Sequence, residues 1–379
     1  MKDLGSLLIN EIKNNGPMPL SSYIQQCLLH PTFGYYSKKT VFGVDGDFTT
    51  APEISQMFGE LIALSILQTW IDQGSPSQII LTELGPGRGT MMADMLRTFK
   101  SYPKFLKAAE IHLVEASSNL KHIQKTRLSE YNIVWHEKLP KFEKKHLFLI
   151  ANEFFDALPI EQYLRKGDNF FKRTVQVSDG KLEFGLEEKP TKNYFLDMRL
   201  SDTSNGDIVE LNLSAAKLSK NIGEHINNFG GAAIFIDYGD WRSLGDTLQA
   251  VKNHEYCNVF VSPGELDISA HVDFEILALN SGCAFSKLTT QGVLLERLGI
   301  TERANNLAKS LKGKALESHI AAHRRLTHPK EMGSIFKALS LFPKNSPCPP
   351  GFSFCINTDQ HFKGSITPLS SSKESGETL

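Results

Sequence analysis

Residues 79–89 read Ile79-Ile80-Leu81-Thr82-Glu83-Leu84-Gly85-Pro86-Gly87-Arg88-Gly89, and this stretch decides the fold. An apolar, β-branched run ends in a carboxylate and enters a loop with glycine at every second position; the helix-favouring stretch 91–97 follows. The pattern predicts strand, tight turn and helix, the geometry in which backbone approaches a polar cofactor at a helix N-terminus. Glycine is needed because a Cβ would block that approach and because positive φ is expected at some of these positions.

The spacing of these glycines distinguishes between cofactors. A dinucleotide fingerprint needs Gly-x-Gly-x-x-Gly, but Thr90 stands at its third glycine, and Pro86 removes a backbone donor that a phosphate would use. No Gly-Lys-Ser/Thr of a phosphate-binding loop follows. Glu83 would repel a phosphate but could pair with a cation, so S-adenosylmethionine, with its ammonium and sulfonium, suits the loop better. The cofactor-binding candidates here are Glu83, Gly85, Gly87 and Gly89. The alternative is a turn that binds nothing.

A second apolar run that ends in an acid lies at 110–115. In a right-handed β-α-β unit, Glu115 would lie beside the glycine loop, where a carboxylate can accept both hydroxyls of a ribose. Glu115 is therefore a further cofactor-binding candidate. The alternative is a solvated charge at the end of a strand.

Five motifs in chain order carry a family resemblance. They are Ala-Pro-Glu-Ile-Ser-Gln at 51–56, Glu-Leu-Gly-Pro-Gly-Arg-Gly-Thr at 83–90, Asn-Glu-Phe-Phe-Asp-Ala-Leu-Pro at 152–159, Gly-Asp-Thr-Leu-Gln-Ala at 245–250 and Ala-His-Val-Asp-Phe at 270–274. From about residue 16 to residue 357 the chain resembles the MidA family. Members are class I S-adenosylmethionine-dependent methyltransferases of bacteria and mitochondria. The mitochondrial members are protein arginine methyltransferases that act in assembly of respiratory complex I.

The resemblance implies an α/β fold with a Rossmann-like, seven-stranded class I methyltransferase core, an N-terminal helical segment and inserted substrate-binding elements. Strands are predicted near 79–84, 110–115, 132–136, 146–151 and 232–237, with late strands near 283–289 and 352–357. The predicted units are an N-terminal helical cap at 1–78, the cofactor-binding core at 79–159 and 210–240, a β-rich insertion at 160–209, a mainly helical insertion at 241–345, the last core strand at 346–363 and a disordered tail at 364–379.

Local signals refine these units. Thr50-Ala51-Pro52-Glu53 matches a capping box, and a helix is expected from Ile54 to Ile71 because apolar residues recur at three- and four-residue intervals. Ser178-Asp179-Gly180 between alternating segments predicts a hairpin. Residues 240–275 show little regular pattern and are expected to form a long loop.

The end of the fourth core strand, Asn152-Glu153-Phe154-Phe155-Asp156, is the candidate catalytic segment. Adenine-specific DNA methyltransferases carry an amide and two prolines at this point, whereas this chain carries carboxylates. Paired carboxylates suit a guanidinium, which is always protonated and offers five donors. We therefore assign Glu153 and Asp156 to binding an arginine, and Asn152 to the cofactor. The alternatives are that Glu153 is a surface charge and that Asp156 caps a following helix.

Other candidates lie outside these strand ends. His271 could order the substrate or take a proton, although a capped loop histidine is an equal alternative. His271, Asp273 and His323 could also form a non-haem iron(II) site, which is disfavoured in an α/β pattern, and no metal is expected. Thr50 and Glu53 are secondary cofactor candidates, because the helix start they occupy could hold the methionine carboxylate.

Composition limits the partners and the compartment. The net charge of −1 gives no general attraction to nucleic acid, and no stretch reaches the length of a membrane span. The five cysteines form no Cys-x-x-Cys pair, which argues against structural zinc and a disulfide scaffold. The first residues resemble neither a secretory signal nor a transit peptide. We expect a bacterial cytoplasmic protein, or a mitochondrial one if it is a processed eukaryotic member, and a homodimer is possible.

The sequence therefore predicts a methyltransferase that uses S-adenosylmethionine and acts on an arginine of a partner protein, such as a respiratory-complex subunit. One alternative is an assembly factor that binds the cofactor without catalysis. Another is an NAD-dependent oxidoreductase, which the glycine spacing disfavours.

Overall fold

The computed structural model describes residues 3–37, 50–252 and 255–354. In chain order the helices are α1 Leu4–Asn15, α2 Leu20–Leu29, α3 Ala51–Ile54, α4 Gln56–Asp72, α5 Thr90–Phe99, α6 Pro103–Ala108, α7 Ser118–Arg127, α8 Tyr194–Met198, α9 Leu213–Phe229, α10 Phe274–Asn280, α11 Gln291–Arg297, α12 Ile300–Ala308, α13 Gly313–Thr327 and α14 Met332–Ile335. The strands are β1 Met18–Pro19, β2 Ile79–Leu84, β3 Ala109–Val114, β4 Ile133–His136, β5 His146–Asn152, β6 Glu161–Lys166, β7 Asn169–Ser178, β8 Lys181–Leu186, β9 Ile208–Leu211, β10 Gly231–Asp240, β11 Gln249–Lys252, β12 Glu255–Cys257, β13 Asp267–Ser269, β14 Val272–Asp273, β15 Ala284–Phe285, β16 Thr289–Thr290 and β17 Phe336–Phe342.

A mixed central sheet organises the molecule. Its seven-strand path runs β15-β17-β10-β5-β2-β3-β4, and the short β14 and β16 attach to β10 and β17. Strands β4, β3, β2, β5 and β10 are parallel, whereas β17 lies antiparallel between β10 and β15. The Rossmann-like α/β core with seven strands is thus confirmed. Because the parallel strands end at one edge, that edge collects the strand-end acids.

The core strands are apolar because helices cover both faces of the sheet. All six residues of β2 are buried. One face packs against α4, α5 and the later helices α11–α14, in a cluster that includes Phe58, Met95 and Leu326. The other face packs against α9 and α10, in a cluster that includes Ile226 and Phe274.

The predicted last core strand at 346–363 is wrong. The strand is β17, whose register pairs Phe235 with Leu339. The sequence did not predict β17 because Lys337 and Ser340 interrupt its apolar pattern and it follows a helical region. In the structure Ser340 is buried and donates from Oγ to the Ala233 carbonyl oxygen at 3.0 Å. Over 352–354 there is an isolated bridge rather than a strand, at Phe354. The rest of that prediction, and the predicted tail at 364–379, lie outside the described residues.

The predicted helix from Ile54 to Ile71 is divided at Ser55. Its side chain caps α4 by accepting from the Met57 N–H at 3.2 Å. The predicted capping box at Thr50 is wrong, since the Thr50 side chain makes no capping hydrogen bond. Glu53 instead accepts from the Thr90 hydroxyl at the start of α5. The acid therefore links α3 to the glycine loop rather than closing its own helix.

The insertions form two small sheets. Strands β1, β7, β6 and β9 run in that order with β8 on β7, and the expected hairpin turns at Asp179 and Gly180, with φ of 49° and 78°. The region 240–275, predicted to be a loop, contains the three-stranded sheet β12-β11-β13. Its strands are too short to show a period in sequence. Both sheets contribute to a third apolar cluster with α1 and α2.

Candidate active site

A cavity of about 1110 Å³ opens at the ends of β2, β3, β5 and β10. The structure brings most of the sequence-predicted site residues to its wall: Thr50, Glu53, Glu83, Gly85, Gly87, Glu115, Asn152, Glu153 and Asp156. Gly89 lies just behind, as the residue before α5, and His271 is not among the described lining residues. The acids predicted to bind the cofactor and the acids predicted to bind the arginine therefore face one cavity.

The glycine loop has the geometry that its sequence demands. Gly85, Gly87 and Gly89 have φ of 59°, 51° and 77°, in the left-handed region that glycine tolerates. A Cβ on Gly85 would lie 2.8 Å from the Phe154 ring. Gln124 of α7 fixes the loop by donating to the Gly87 carbonyl oxygen at 2.8 Å. Gly85 and Gly87 thus line the cavity with backbone, and the φ values and the Phe154 ring explain why these positions need glycine.

Two acids flank this loop. Glu83 is buried, and its Oε2 has no hydrogen-bond partner within the described residues. Burial raises the pKa of Glu83 to about 8, although a hydrogen bond from the Met92 N–H acts to lower it. Glu115 accepts from the Ser117 N–H at 2.8 Å and from Gln124 Nε2 at 3.2 Å, and burial raises its pKa to about 7. Glu115 is only 8% exposed, so the alternative of a solvated strand-end charge is wrong.

Glu153 is held in a strained conformation at the end of β5. Its φ is 51°, a value that a non-glycine residue adopts only when its surroundings impose it. Its Oε1 accepts from the Ala51 N–H and from Asn152 Nδ2, both at 3.0 Å. Burial raises the pKa of Glu153 to about 7; the Asp156 charge adds to the rise, and the more distant Arg325 charge opposes it. Glu153 therefore belongs to the cavity wall, and the surface-charge alternative is wrong.

Asp237 of β10 organises the segment after Glu153. Its Oδ2 accepts from the N–H groups of Phe154, Phe155 and Asp156 at 3.1, 2.9 and 3.3 Å. Asp237 is fully buried, and burial together with the Asp156 and Glu153 charges raises its pKa well above the ordinary range. One strand-end carboxylate thereby fixes the backbone that presents the two candidate catalytic acids.

Asp156 completes the acidic cluster. Burial raises its pKa to about 6, opposed by the Ala157 N–H and a hydrogen bond from Tyr238. Its Oδ1 has no hydrogen-bond partner in the described part of the chain. A turn and β6 follow Asp156, so the helix-capping alternative is wrong. We define Glu153, Asp156 and Asp237 as the carboxylate cluster.

Two tyrosines lie at this cluster, and sequence reasoning missed one of them, Tyr36. The Tyr238 hydroxyl accepts from Gln249 Nε2 at 3.1 Å, and the Tyr36 hydroxyl lies 3.4 Å from Asp267 Oδ1. Both tyrosines line the cavity. Tyr238 belongs to the segment Asp237-Tyr238-Gly239-Asp240, which its place at the end of the fifth core strand made a candidate for the same cleft. Tyr36 and Gln249 come from segments with no sequence period, and only the tertiary fold brings them here.

Glu53 and Thr50 lie at the cofactor side of the cavity. Glu53 is surrounded by Arg88 at 3.7 Å, Arg127 at 3.9 Å and the Thr90 hydroxyl. The Ala51 N–H at the start of α3 is already donated to Glu153. The start of α3 was predicted to bind the methionine carboxylate of the cofactor, but its Ala51 N–H already binds a protein carboxylate.

The residues proposed for an alternative iron site are not brought together. His271 is exposed, and its ring packs edge-on against Tyr238, 5.4 Å between centroids. Asp273 accepts from the Ile276 N–H as the cap of α10, and His323 lies 3.1 Å from the Thr301 hydroxyl. Among the described residues no group of three histidines, cysteines or acids could hold a metal. His271 therefore contacts a residue of the cavity wall, Tyr238, but is not itself among the described lining residues.

The wall of the cavity fits S-adenosylmethionine. Gly85 and Gly87 line the cavity without side chains, and Glu115 offers acceptor oxygens for ribose hydroxyls. Glu83 offers an unpartnered buried oxygen near the loop rather than the donors that a phosphate needs. A Rossmann-like sheet with this loop and these acids defines the class of S-adenosylmethionine-dependent methyltransferases.

Comparison with known proteins gives the family. Residues 61–294 match the family model described as "Putative S-adenosyl-L-methionine-dependent methyltransferase", and the chain belongs to this family. The MidA-like resemblance is thereby confirmed, and the chain is an S-adenosylmethionine-dependent methyltransferase. The NAD-dependent oxidoreductase alternative is discarded.

Relatives and solved structures agree. The chain is 34% identical over 365 residues to the mitochondrial protein arginine methyltransferase NDUFAF7 of Xenopus laevis, covering 89% of this chain and 83% of the relative. For the Homo sapiens protein of that name the identity is 31%, covering 89% and 82%. A COG1565 superfamily structure from Burkholderia thailandensis, bound to S-adenosylhomocysteine, has 25% identity and a TM-score of 0.79, covering 92% of this chain and 94% of its own. Within the described ranges, no helix has the length and apolar character needed to cross a bilayer.

Proposed function

We propose that this methyltransferase transfers the methyl group to a guanidinium nitrogen of an arginine side chain in a partner protein. The observation that carries the proposal is the carboxylate cluster at the cavity, with raised pKa values and an unpartnered Asp156 Oδ1. The NDUFAF7 relatives are named protein arginine methyltransferases, which supports the same acceptor.

The cluster suits a cation that arrives with its own charge. Burial raises the pKa values of Glu153 and Asp156 because it removes water from their charged forms. A cation bound between the two acids would replace that lost stabilisation. A guanidinium supplies five N–H donors and a permanent charge, so it can ionise both acids and bind between them. The Tyr238 hydroxyl, hydrogen bonded to Asp156, helps to fix the orientation of that acid.

The residues then have separate tasks. S-adenosylmethionine, when bound, supplies an electrophilic methyl group on its sulfonium. Glu153 and Asp156 orient the guanidinium plane so that one nitrogen faces the methyl position. The attacking nitrogen loses one proton as it gains the methyl group, and Glu153, with a pKa raised to about 7, can accept that proton. Asn152 and the glycine loop keep their predicted role in binding the cofactor.

Radiolabelled methyl transfer onto extract from a strain lacking this gene tests the acceptor. Hydrolysis of the labelled protein should release methylarginine. Label found only in methyllysine would overturn the arginine proposal. Cofactor binding without label in any protein would instead support the alternative of an assembly factor without catalysis.

The variant Glu153→Gln tests the site. We expect kcat/KM to fall by roughly 10²–10³-fold, while S-adenosylhomocysteine binds within about threefold of the parent by isothermal titration. Glu137→Gln is the matched control, because Glu137 also lines the cavity but has an 81% exposed side chain. Loss of cofactor binding together with activity would reassign Glu153 to the cofactor site.

The partner and the compartment stay predictions. The family resemblance points to a subunit of respiratory complex I, and mass spectrometry of respiratory subunits from the deletion strain would test this. The NDUFAF7 relatives are named mitochondrial, and fractionation would distinguish that location from the bacterial cytoplasm. Light scattering would test whether the chain forms a homodimer, and a filter assay would test the expected lack of nucleic-acid binding.

A further inference from the structure

Arg325 of α13 is a cation at the cavity wall that no established role explains. It lines the cavity, yet within residues 3–37, 50–252 and 255–354 it has no ion-pair or hydrogen-bond partner. Its neighbour Arg324 differs, since its Nε donates to Glu331 at 3.0 Å. An exposed arginine without a partner inside a cofactor cavity is free to bind an anionic group of a ligand.

The end of α13 is held firmly in place. The Leu326 side chain is buried, and Gln291 Nε2 donates to the Leu326 carbonyl oxygen at 3.0 Å. Gly292 and Gly333 pack so closely that a Cβ on either would lie 2.5 or 2.0 Å from the Thr327 carbonyl oxygen. The backbone that carries Arg325 is therefore anchored, and its position at the cavity does not depend on a flexible loop.

The neighbours of Arg325 place it at the methyl-transfer end of the cavity. Helix α13 packs against α3, whose Ala51 N–H donates to Glu153. The charge of Arg325 also acts on Glu153. Glu153 follows the end of β5, directly beside β2, which leads into the glycine loop.

The other cations of the cavity wall are less suited to bind an anion there. Arg88 already pairs with Glu53 at 3.7 Å. Lys138 follows β4, which lies three strands from β5 in the sheet, roughly 14 Å at the usual strand spacing. Lys217 lies on α9, which packs on the opposite face of the sheet from α13.

We propose that Arg325 binds the carboxylate of the methionine part of S-adenosylmethionine. The only formal negative charge of this cofactor is that carboxylate, and a guanidinium binds it with two parallel hydrogen bonds. The sequence suggested the start of α3 for binding this carboxylate, but the Ala51 N–H there donates to Glu153. The assignment concerns the cofactor and does not depend on which acceptor is methylated.

Isothermal titration with two ligands tests the assignment. S-adenosylhomocysteine has the carboxylate, and S-adenosyl-3-thiopropylamine is the same molecule without it. We expect Arg325→Ala to weaken S-adenosylhomocysteine binding roughly 10- to 100-fold and to leave the decarboxylated ligand within about twofold. Arg325→Lys should recover part of the lost affinity, because it restores the charge but not the bidentate geometry.

Two control variants make the result decisive. Arg324→Ala changes the neighbouring, ion-paired arginine and should bind both ligands as the parent does. Lys217→Ala removes another cation of the cavity wall and should also have no selective effect. An equal loss for both ligands in Arg325→Ala, or no loss for either, would overturn the proposal. A carboxylate-selective loss in Lys217→Ala alone would move the role to Lys217.

Discussion

The two halves of the cavity are built in different ways. The cofactor half, which we define as the loop 85–89 with Glu83 and Glu115, comes from one continuous β-α-β unit. The acceptor half is the carboxylate cluster with Tyr238, and it needs β5, β10, the start of α3 and a small inserted sheet. Both halves bury acids with raised pKa values. The difference teaches that local sequence can encode the loop and the flanking acids of a cofactor site, whereas an acceptor site depends on distant segments.

The largest effect is expected from Gly85→Ala, which should destroy the cofactor half. The new Cβ would lie 2.8 Å from the Phe154 ring at a φ of 59°, so both strain and collision oppose it. We expect S-adenosylhomocysteine affinity to fall by about 100-fold, measured by isothermal titration.

Gly74→Ala is the matched control for that variant. Gly74 also has positive φ, 85°, but a Cβ there meets nothing within 4 Å. It should cost about 1 kcal/mol in unfolding free energy and leave cofactor binding intact. If both variants bind the cofactor normally, the loop does not approach it as closely as we infer.

Asp237→Asn should damage the acceptor half alone. An amide has one acceptor oxygen and one NH2 group in place of the two carboxylate oxygens, so the NH2 group would face backbone N–H donors that now bind Asp237. We expect kcat to fall by about 30-fold and the unfolding free energy by about 1–3 kcal/mol, with cofactor affinity changed less than threefold. Asp240→Asn, at the exposed end of the same strand, is the control. A large loss of cofactor affinity in Asp237→Asn would show that the two halves are not separate.

The pH dependence of methyl transfer should report on the acceptor half, through a change in kcat/KM of about 20-fold. The pKa values of Glu153 and Asp156 are raised to about 7 and about 6, so both acids become protonated as the pH falls through this range. Binding of a guanidinium needs them ionised, and the arginine itself stays charged. At saturating cofactor, kcat/KM should therefore rise from pH 6 to pH 8 by about 20-fold and then level off.

Glu153→Gln sharpens this test, because it should remove the upper step of the pH profile. Titrations with S-adenosylhomocysteine at each pH control for the raised pKa of Glu115. An unchanged profile in Glu153→Gln would mean that another group titrates in the activity.

Sequence reasoning succeeded where a contact partner lies nearby in the chain. The strand β2, the glycine loop, Glu115 and the hairpin at Asp179 all follow from short patterns, and the structure places them as expected. The ends of parallel strands also predicted that Glu153 would face the loop, since β5 lies directly beside β2. Local propensity and sheet topology are sufficient for these features.

It failed where the tertiary structure decides. Strand β17 contains Lys337 and Ser340, and only pairing with β10 makes it a core strand. Glu53, which the sequence assigned to a capping box at the start of its own helix, instead accepts from the Thr90 hydroxyl 37 positions later. Asp237 is the last residue of a predicted core strand, but its three backbone donors, Phe154, Phe155 and Asp156, lie more than 80 positions before it in the chain. No window of sequence contains such contacts.

The smallest effect is expected from Gln124→Ala, which removes the tie between the two parts of the cofactor half. Buried Gln124 donates to the Gly87 carbonyl oxygen and to Glu115, and accepts from Trp135 at 3.0 Å. We expect S-adenosylhomocysteine affinity to fall about three- to fivefold, because each donated bond contributes modestly and water can replace part of it. Gln68→Ala, exposed on α4, should change nothing. Since Gln124 has no contact with the carboxylate cluster, kcat at saturating cofactor should stay constant; a fall in kcat with unchanged affinity would contradict the division into two halves.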